Sequence, residues 1–222
     1  MGLNSEYKKS IKTTTGLILD LTVALSDIKY FQDVKQKAQI DVVKAYRFLW
    51  RAQYGIYVTF CLNYNKVVMW DEDPSLQRIL NESINHYKGL QWNRKPDKKL
   101  LIEYLETLKD LEKSEISQNL KLARDRYYAH FDKNRPTKIQ IETDDIDKNL
   151  LKIQEIFNYI LLHYENRQYH FGFSQIDIGH HIFDNLYKYK QIKLALIESK
   201  KTLDRDLKLD NLREIIIKNI SS

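Results

Sequence analysis

PDKKLLIEYLETLKDLEKS, residues 96–114, places leucines and a tyrosine at helical intervals between a proline and a serine. Leu100, Leu101, Tyr104, Leu105, Leu108 and Leu111 share one wide face, the three-and-four spacing of a helix that buries one side. Pro96 suits the opening of such a helix, where its missing N–H has no partner to lose. Ser114 suits the N-cap of the next one, its hydroxyl taking a backbone N–H that the helix leaves free. That next helix is predicted to run through Ile116, Leu120, Ala123 and Tyr127 towards His130. It must stop by Asn134-Arg135-Pro136, because the residue before a proline is pushed out of helical geometry.

The same spacing recurs on both sides. Upstream, Asp73-Pro74-Ser75 reads as a helix start, followed by Leu76, Ile79, Leu80 and Ile84, with Gly89 marking the end. Before it, Asp27 to about Asn63 is the longest periodic run, carried by Val42, Tyr46, Leu49, Ile56 and Phe60. A first helix is expected over about residues 5–25, with Leu17, Ile18, Leu21 and Leu25 on its stripe despite the poor helix formers Thr13, Thr14 and Thr15. Downstream, Thr143 or Asp144 caps a helix bearing Leu150, Ile153, Phe157, Ile160, Leu161 and Tyr164. Lys138–Glu142 alternates polar and apolar, but over too few residues to build a sheet. Helices joined by short connections predict an all-α fold, an antiparallel helical bundle over residues 1–166. Residues 167–222 read as an aromatic loop (Tyr169, Phe171 and Phe173, with Gly172 and Gly179) and a helical C-terminal extension, expected to pack on the same domain.

Composition agrees. A chain of 222 residues buries a sizeable core without a disulfide or metal staple. Six glycines and three prolines are too few for a sandwich or barrel of many turns. Cys61 stands alone, which excludes an intrachain disulfide framework and favours a reducing compartment. No apolar run approaches the roughly 20 residues of a membrane span, and Met1–Ser10 is unlike a signal peptide. A soluble, cytoplasmic protein is therefore expected, with no membrane partner. The net charge of +6 permits an anionic partner without demanding one. From Leu186 onward there are nine Lys and Arg against five Asp and Glu, a bias that a solvated helix face explains as well as a nucleic-acid contact.

The chemistry lies in Leu122-Ala123-Arg124-Asp125-Arg126-Tyr127-Tyr128-Ala129-His130-Phe131-Asp132-Lys133. His130 has a ring that takes or gives a proton near neutral pH. Arg124 presents a permanently charged fork matched to phosphate oxygens. Together they meet the needs of RNA cleavage by the ribose 2′-hydroxyl, which requires proton transfer and stabilisation of a phosphorane but no metal. On an ideal α-helix the two side chains are separated by about 9 Å along the axis and roughly 120° around it. One such helix does not bring them together. Arg126, four residues before His130, shares nearly its face and reads as a second phosphate ligand; Tyr128 and Lys133 are further candidate RNA contacts. Asp125 either orients the arginine or histidine or is a solvated acid. Tyr127 reads as core. A histidine at a helix end also has a plain structural use, bonding the last carbonyls.

Arg124, the polar Asp125, and His130 after five intervening positions resemble the signature of the HEPN superfamily. The local form R-D-x-x-x-A-H is closest to its abortive-infection branch, as are Phe48-Leu49-Trp50-Arg51-Ala52 with Ile56 and the start Pro74-Ser75-Leu76. The similarity spans about residues 20–165. The resemblance implies a metal-independent endoribonuclease without a cofactor, acting as a homodimer with a composite cleft, in which Arg124, Asp125 and His130 are catalytic. It implies a toxin or antiviral defence role, with an antitoxin or regulatory protein as a further partner. Non-catalytic superfamily members that bind RNA, a nucleotide or a protein are the alternative. HEPN toxins paired with a nucleotidyltransferase antitoxin carry a modified tyrosine two positions after the histidine. Asp132 stands there in this chain, so control by tyrosine adenylylation is not carried over.

Other constellations are weaker. His163, His170, His180 and His181, near Glu165 and Asp177, lack metal-ligand spacing and read as a histidine-rich loop. Cys61 reads as a small buried hydrophobe. Trp50, Trp70 and Trp92 read as core or interface anchors, although Trp92 beside Arg94 and Lys95 is placed to stack a base. The chain has no glycine loop of the phosphate-cradling kind.

Overall fold

A computed structural model describes residues 2–32, 47–128, 143–171, 185, 187–198 and 217, with the backbone alone at 48–50 and 126–128. The chain divides into two compact units, one of residues 1–29 and 54–173 and the other of residues 30–53 and 174–222. All regular structure among the described residues is helical. The second unit contributes the end of the first helix, the start of the second and a helical segment over 187–198.

Helix α1, Leu3–Gln32, is longer than the spacing around Leu17–Leu25 predicts. Tyr7, Ile11, Thr14, Ile18, Leu21, Leu25 and Ile28 recur at alternating intervals of four and three, and all are buried. Burial of that stripe outweighs the modest cost of the threonines. The hydroxyls of Thr15 and Thr22 donate to the carbonyls four residues back, at 2.9 and 2.8 Å, so they are satisfied within the helix. Helix α2, Arg47–Val68, buries Phe60, Cys61, Tyr64, Val67 and Val68; the expected positions Val42 and Tyr46 lie outside the described residues.

Helix α3, Leu76–Asn85, starts where the sequence placed it. The Ser75 hydroxyl accepts from the Arg78 N–H, while Leu76, Ile79 and Leu80 turn inward. The helix ends at Asn85, and turns carry the chain to Gly89. Helix α4, Lys98–Lys113, is capped by Asp97, the residue after Pro96, and buries Leu101, Leu105, Leu108 and Leu111. Ser114 then caps α5, Glu115–Leu122. Helix α6, Thr143–Glu165, carries acids in its first turn, where they face the positive helix end. Asn166 follows with φ 54°, a left-handed residue of the kind that stops helices.

Three links fix the directions of α1 and α6. Asn4 meets Tyr164, Thr22 meets Gln154, and Lys29 meets Asp147, so the two helices run antiparallel. Asp97 and Tyr104 meet Tyr159 and Glu155 in the same opposed order, which makes α4 antiparallel to α6. The bundle expected from the apolar spacing is present.

At one end, Trp92 sits among Tyr7, Tyr87 and Tyr164, with its indole N–H donating to the Tyr87 carbonyl at 2.9 Å. Half-buried among these rings, it packs against the core as the anchor reading expected. Asn93 and the Arg94 N–H bond the Tyr164 and His163 carbonyls, closing the last turn of α6. His163 belongs to α6 and not to a loop: it is buried, its ring bonded to the Tyr159 carbonyl and tilted against the Tyr159 ring. The aromatic stretch begins by folding back, as Tyr169 exchanges two hydrogen bonds with Asn158 and Phe171 is buried. His180, His181 and Asp177 lie outside the described residues.

Candidate functional site

The site is built where α5 ends. Tyr64 and Asn65 of α2 lie against this helix, Tyr64 through Ser117 at 3.0 Å and Asn65 through the Leu120 carbonyl at 3.2 Å. In a continuing α-helix the Leu120 carbonyl would accept from the Arg124 N–H. Here it already accepts from the buried Asn65 carboxamide and from the Ala123 N–H. A side chain inserted into the ladder is a cause of helix distortion, and from Ala123 to Tyr128 the chain winds as a wider π-turn. The expected uninterrupted α-helix through the motif is thus corrected. The roughly 120° separation assumed ideal α geometry, and His130, its other end, lies outside the described residues.

The π-turn begins at the fully buried Ala123 and sets Arg124 at the edge of the core. The Arg124 side chain is 16% exposed. Its Nε–H donates to Asp125 Oδ1 at 2.7 Å, and its Nη1 donates to the Glu72 carboxylate. Asp125 is 47% exposed and Glu72 28%. Burial alone would lower the arginine pKa, but the hydrogen bonds and charges of Asp125 and Glu72 outweigh it and raise the pKa. Arg124 is therefore a fixed cation with two of its five N–H donors committed. The other three have no partner among the described residues. Donors held this way, close to a surface, are suited to receiving an anion.

Glu72 escaped the sequence reading, which took Asp73-Pro74-Ser75 as a helix start and nothing more. It lies on the 69–75 connection, which contains a cis Asp73–Pro74 bond. The run Asp71-Glu72-Asp73 beside a helix start was its visible signal, but its partner stands 52 residues away. Of the other candidates, Arg126 and Tyr128 have their backbone in the π-turn, with side chains outside the description. His130 and Lys133 lie outside the described residues altogether.

Cys61 is buried, and burial pushes its thiol up to about 12, far from the range of a nucleophile. Among the described residues no group of His, Cys, Asp and Glu is arranged to hold a metal ion. No described helix is long and apolar enough to cross a membrane.

Comparison with curated proteins and with solved structures gives no match. A comparison with protein families does: the AbiU2 family of HEPN domains matches residues 25–182, from within α1 through the π-turn and α6 and beyond. With most of its length matched and an all-helical bundle carrying the Arg-Asp pair on a distorted helix end, this chain belongs to the AbiU2 family of HEPN domains.

Proposed function

We propose that the protein is an endoribonuclease. The ribose 2′-oxygen attacks the adjacent phosphorus while a base takes its proton. The 5′-oxygen leaves with a proton from an acid, and the products end in a 2′,3′-cyclic phosphate and a 5′-hydroxyl. His130 serves as general acid or base, Arg124 clamps the charge that grows on the phosphorane, and Asp125 holds Arg124. Arg126, Tyr128 and Lys133 contact the RNA. The route needs no metal or cofactor. Two copies facing each other across a twofold axis bring one protomer's arginine near the other's histidine. The bundle to residue 166 supplies this chemistry, and residues 167–222 form an extension to it.

The observation that supports this reading best is the Arg124 guanidinium, three-quarters withdrawn from water or more, yet held by two carboxylates at a surface edge. The two carboxylates offset the cost of drawing this cation from water, and the donors that they leave over are placed in advance to receive a phosphate. The biological role we assign is a cytoplasmic toxin or abortive-infection defence protein that cuts RNA when triggered, restrained by an antitoxin or regulatory partner.

Incubation of the purified protein with mixed RNA in EDTA tests the reading. Cleavage to cyclic-phosphate ends is expected for the wild type, with a loss of about 10²-fold or more in His130→Ala and Arg124→Ala. RNA binding without cleavage by all three proteins would instead make this a non-catalytic binding module. In bacteria, the wild type should slow growth and His130→Ala should not.

A further inference from the structure

We propose that Glu72 is a positioning residue for the cleavage reaction, a fixed strut that aims the Arg124 guanidinium; the inference rests on the ribonuclease reading above. Two carboxylates on one guanidinium have two opposite uses. A mobile one is a lock, occupying the arginine until a phosphate displaces it. A rigid one is a support, fixing the direction of the donors that remain. The way its connection is tethered decides between them.

The 69–75 connection is held at many points. The Trp70 N–H donates to Glu112 Oε1 at 3.2 Å, and the Trp70 carbonyl accepts from Arg78 Nε at 2.9 Å. Gln77 ties the same carboxylate of Glu112 and the Val68 carbonyl, each at 2.7 Å. Asp71 pairs with Lys121 at 3.7 Å, one turn before Arg124, and the Glu72 N–H reaches back to the Met69 carbonyl. Ser75, fully buried, closes the segment as the cap of α3. The backbone that carries Glu72 is therefore braced from α2, α3, α4 and α5 at once. The connection cannot carry the side chain away from Arg124, and a carboxylate that starts from so fixed a base favours a support over a lock.

The charge balance points the same way. Glu72 and Asp125 together bring two negative charges to one positive, which weakens ground-state attraction for an RNA phosphate. Their benefit must lie in direction. With Nε and Nη1 committed, the guanidinium is held at two points, and the directions of its three remaining N–H donors are set within one plane. An interaction tuned by direction is realised where the phosphorane forms, and a misplacement of about 1 Å there costs on the order of 10²-fold in rate.

The test compares the wild type with Glu72→Ala and Glu72→Gln in single-turnover cleavage of one RNA. Affinity for its 2′-O-methyl form, which cannot be cleaved, and Tm are measured alongside. For Glu72→Ala we expect a fall of about 10²-fold in rate, unchanged or tighter binding, and a Tm lowered by no more than about 8 °C, the loss of one half-buried ion pair. For Glu72→Gln, whose amide oxygen still accepts from Nη1, we expect recovery of at least about tenfold of that loss. Cleavage by Glu72→Ala at the wild-type rate or faster would overturn the proposal, since it would make Glu72 inert or a lock. Equal losses of rate and binding with a larger fall in Tm would overturn it too. A wild type that cleaves nothing is a failure of the ribonuclease reading. In that case phenylglyoxal labelling of Arg124, read by peptide mass, still judges the support: faster labelling in Glu72→Ala keeps it, and unchanged labelling removes it.

Discussion

Arg124 holds its place through a fork that lysine cannot imitate. Its Nε and Nη1 reach two carboxylates at fixed angles, whereas an ammonium is a point charge on a flexible stem. Arg124→Lys should therefore fold, keep much of its RNA binding and lose cleavage by about 10²-fold, which single-turnover assays will measure. Because Arg124 and Glu72 are each less than a third exposed, their pair should also register in stability. A double-mutant cycle with Arg124→Ala and Glu72→Ala, read by urea denaturation, should give a coupling of about 1–2 kcal/mol. Additive effects would mean that the contact contributes nothing to folding. Cys61 makes the opposite case, since a thiol this deeply buried should resist iodoacetamide at pH 8 in the folded protein and react once urea unfolds it.

The π-turn starts where a side chain of a neighbouring helix bonds the last turn of α5. Asn65 donates to the Cys61 carbonyl at 2.7 Å and to the Leu120 carbonyl at 3.2 Å, while its own Oδ1 has no partner. A buried, half-satisfied amide is costly, and its cost is explained if it holds the helix end open. Asn65→Leu should then leave stability equal or improved, because the orphaned oxygen goes, while the turn relaxes towards α geometry and cleavage falls by about tenfold or more. Loss of stability with full activity would show that Asn65 serves packing alone. The caps allow a parallel contrast. Ser75→Ala and Ser114→Ala should each cost about 1 kcal/mol in urea denaturation. Only Ser75→Ala should also slow cleavage, because Ser75 ends the connection that carries Glu72.

At the scale of the whole molecule the core is rich in buried titratable groups. Burial raises the phenols of Tyr7 and Tyr64 above the ordinary tyrosine value and pushes the Cys61 thiol up to about 12. In the unfolded chain these groups release protons near about 9 for the thiol and about 10 for the phenols. Between those values and the folded ones the unfolded state binds fewer protons, so stability is full below about pH 9 and falls as pH rises. The urea midpoint should thus be lower at pH 10.5 than at pH 8.5, and Tyr7→Phe should flatten the fall. A midpoint that holds or rises would contradict this. The composite site proposed above calls for two copies, so on that reading light scattering should give about twice 26.6 kDa. A strict monomer would leave each arginine without a partner histidine.

Local pattern carried much of this protein. The apolar stripes of α3, α4 and α6, the caps at Ser75 and Ser114, the buried Cys61 and the HEPN motif all depend on neighbours within a turn or two, and sequence spacing records such neighbours directly. The full length of α1 and the place of His163 were less visible, because burial across the bundle overrides what threonines and histidines suggest locally. The site itself was half legible. Arg124 and Asp125 stand side by side in the chain, but Glu72 and Asn65 reach the motif across 52 and 55 residues. Those meetings depend on how helices stack and on which carbonyl a side chain finds there, quantities that no local periodicity encodes. The chain's spacing determined which residues form helices and which faces turn inward; only the packing of α2 and its following connection against α5 decided that the helix would widen at Ala123 and that its arginine would be held by a second carboxylate.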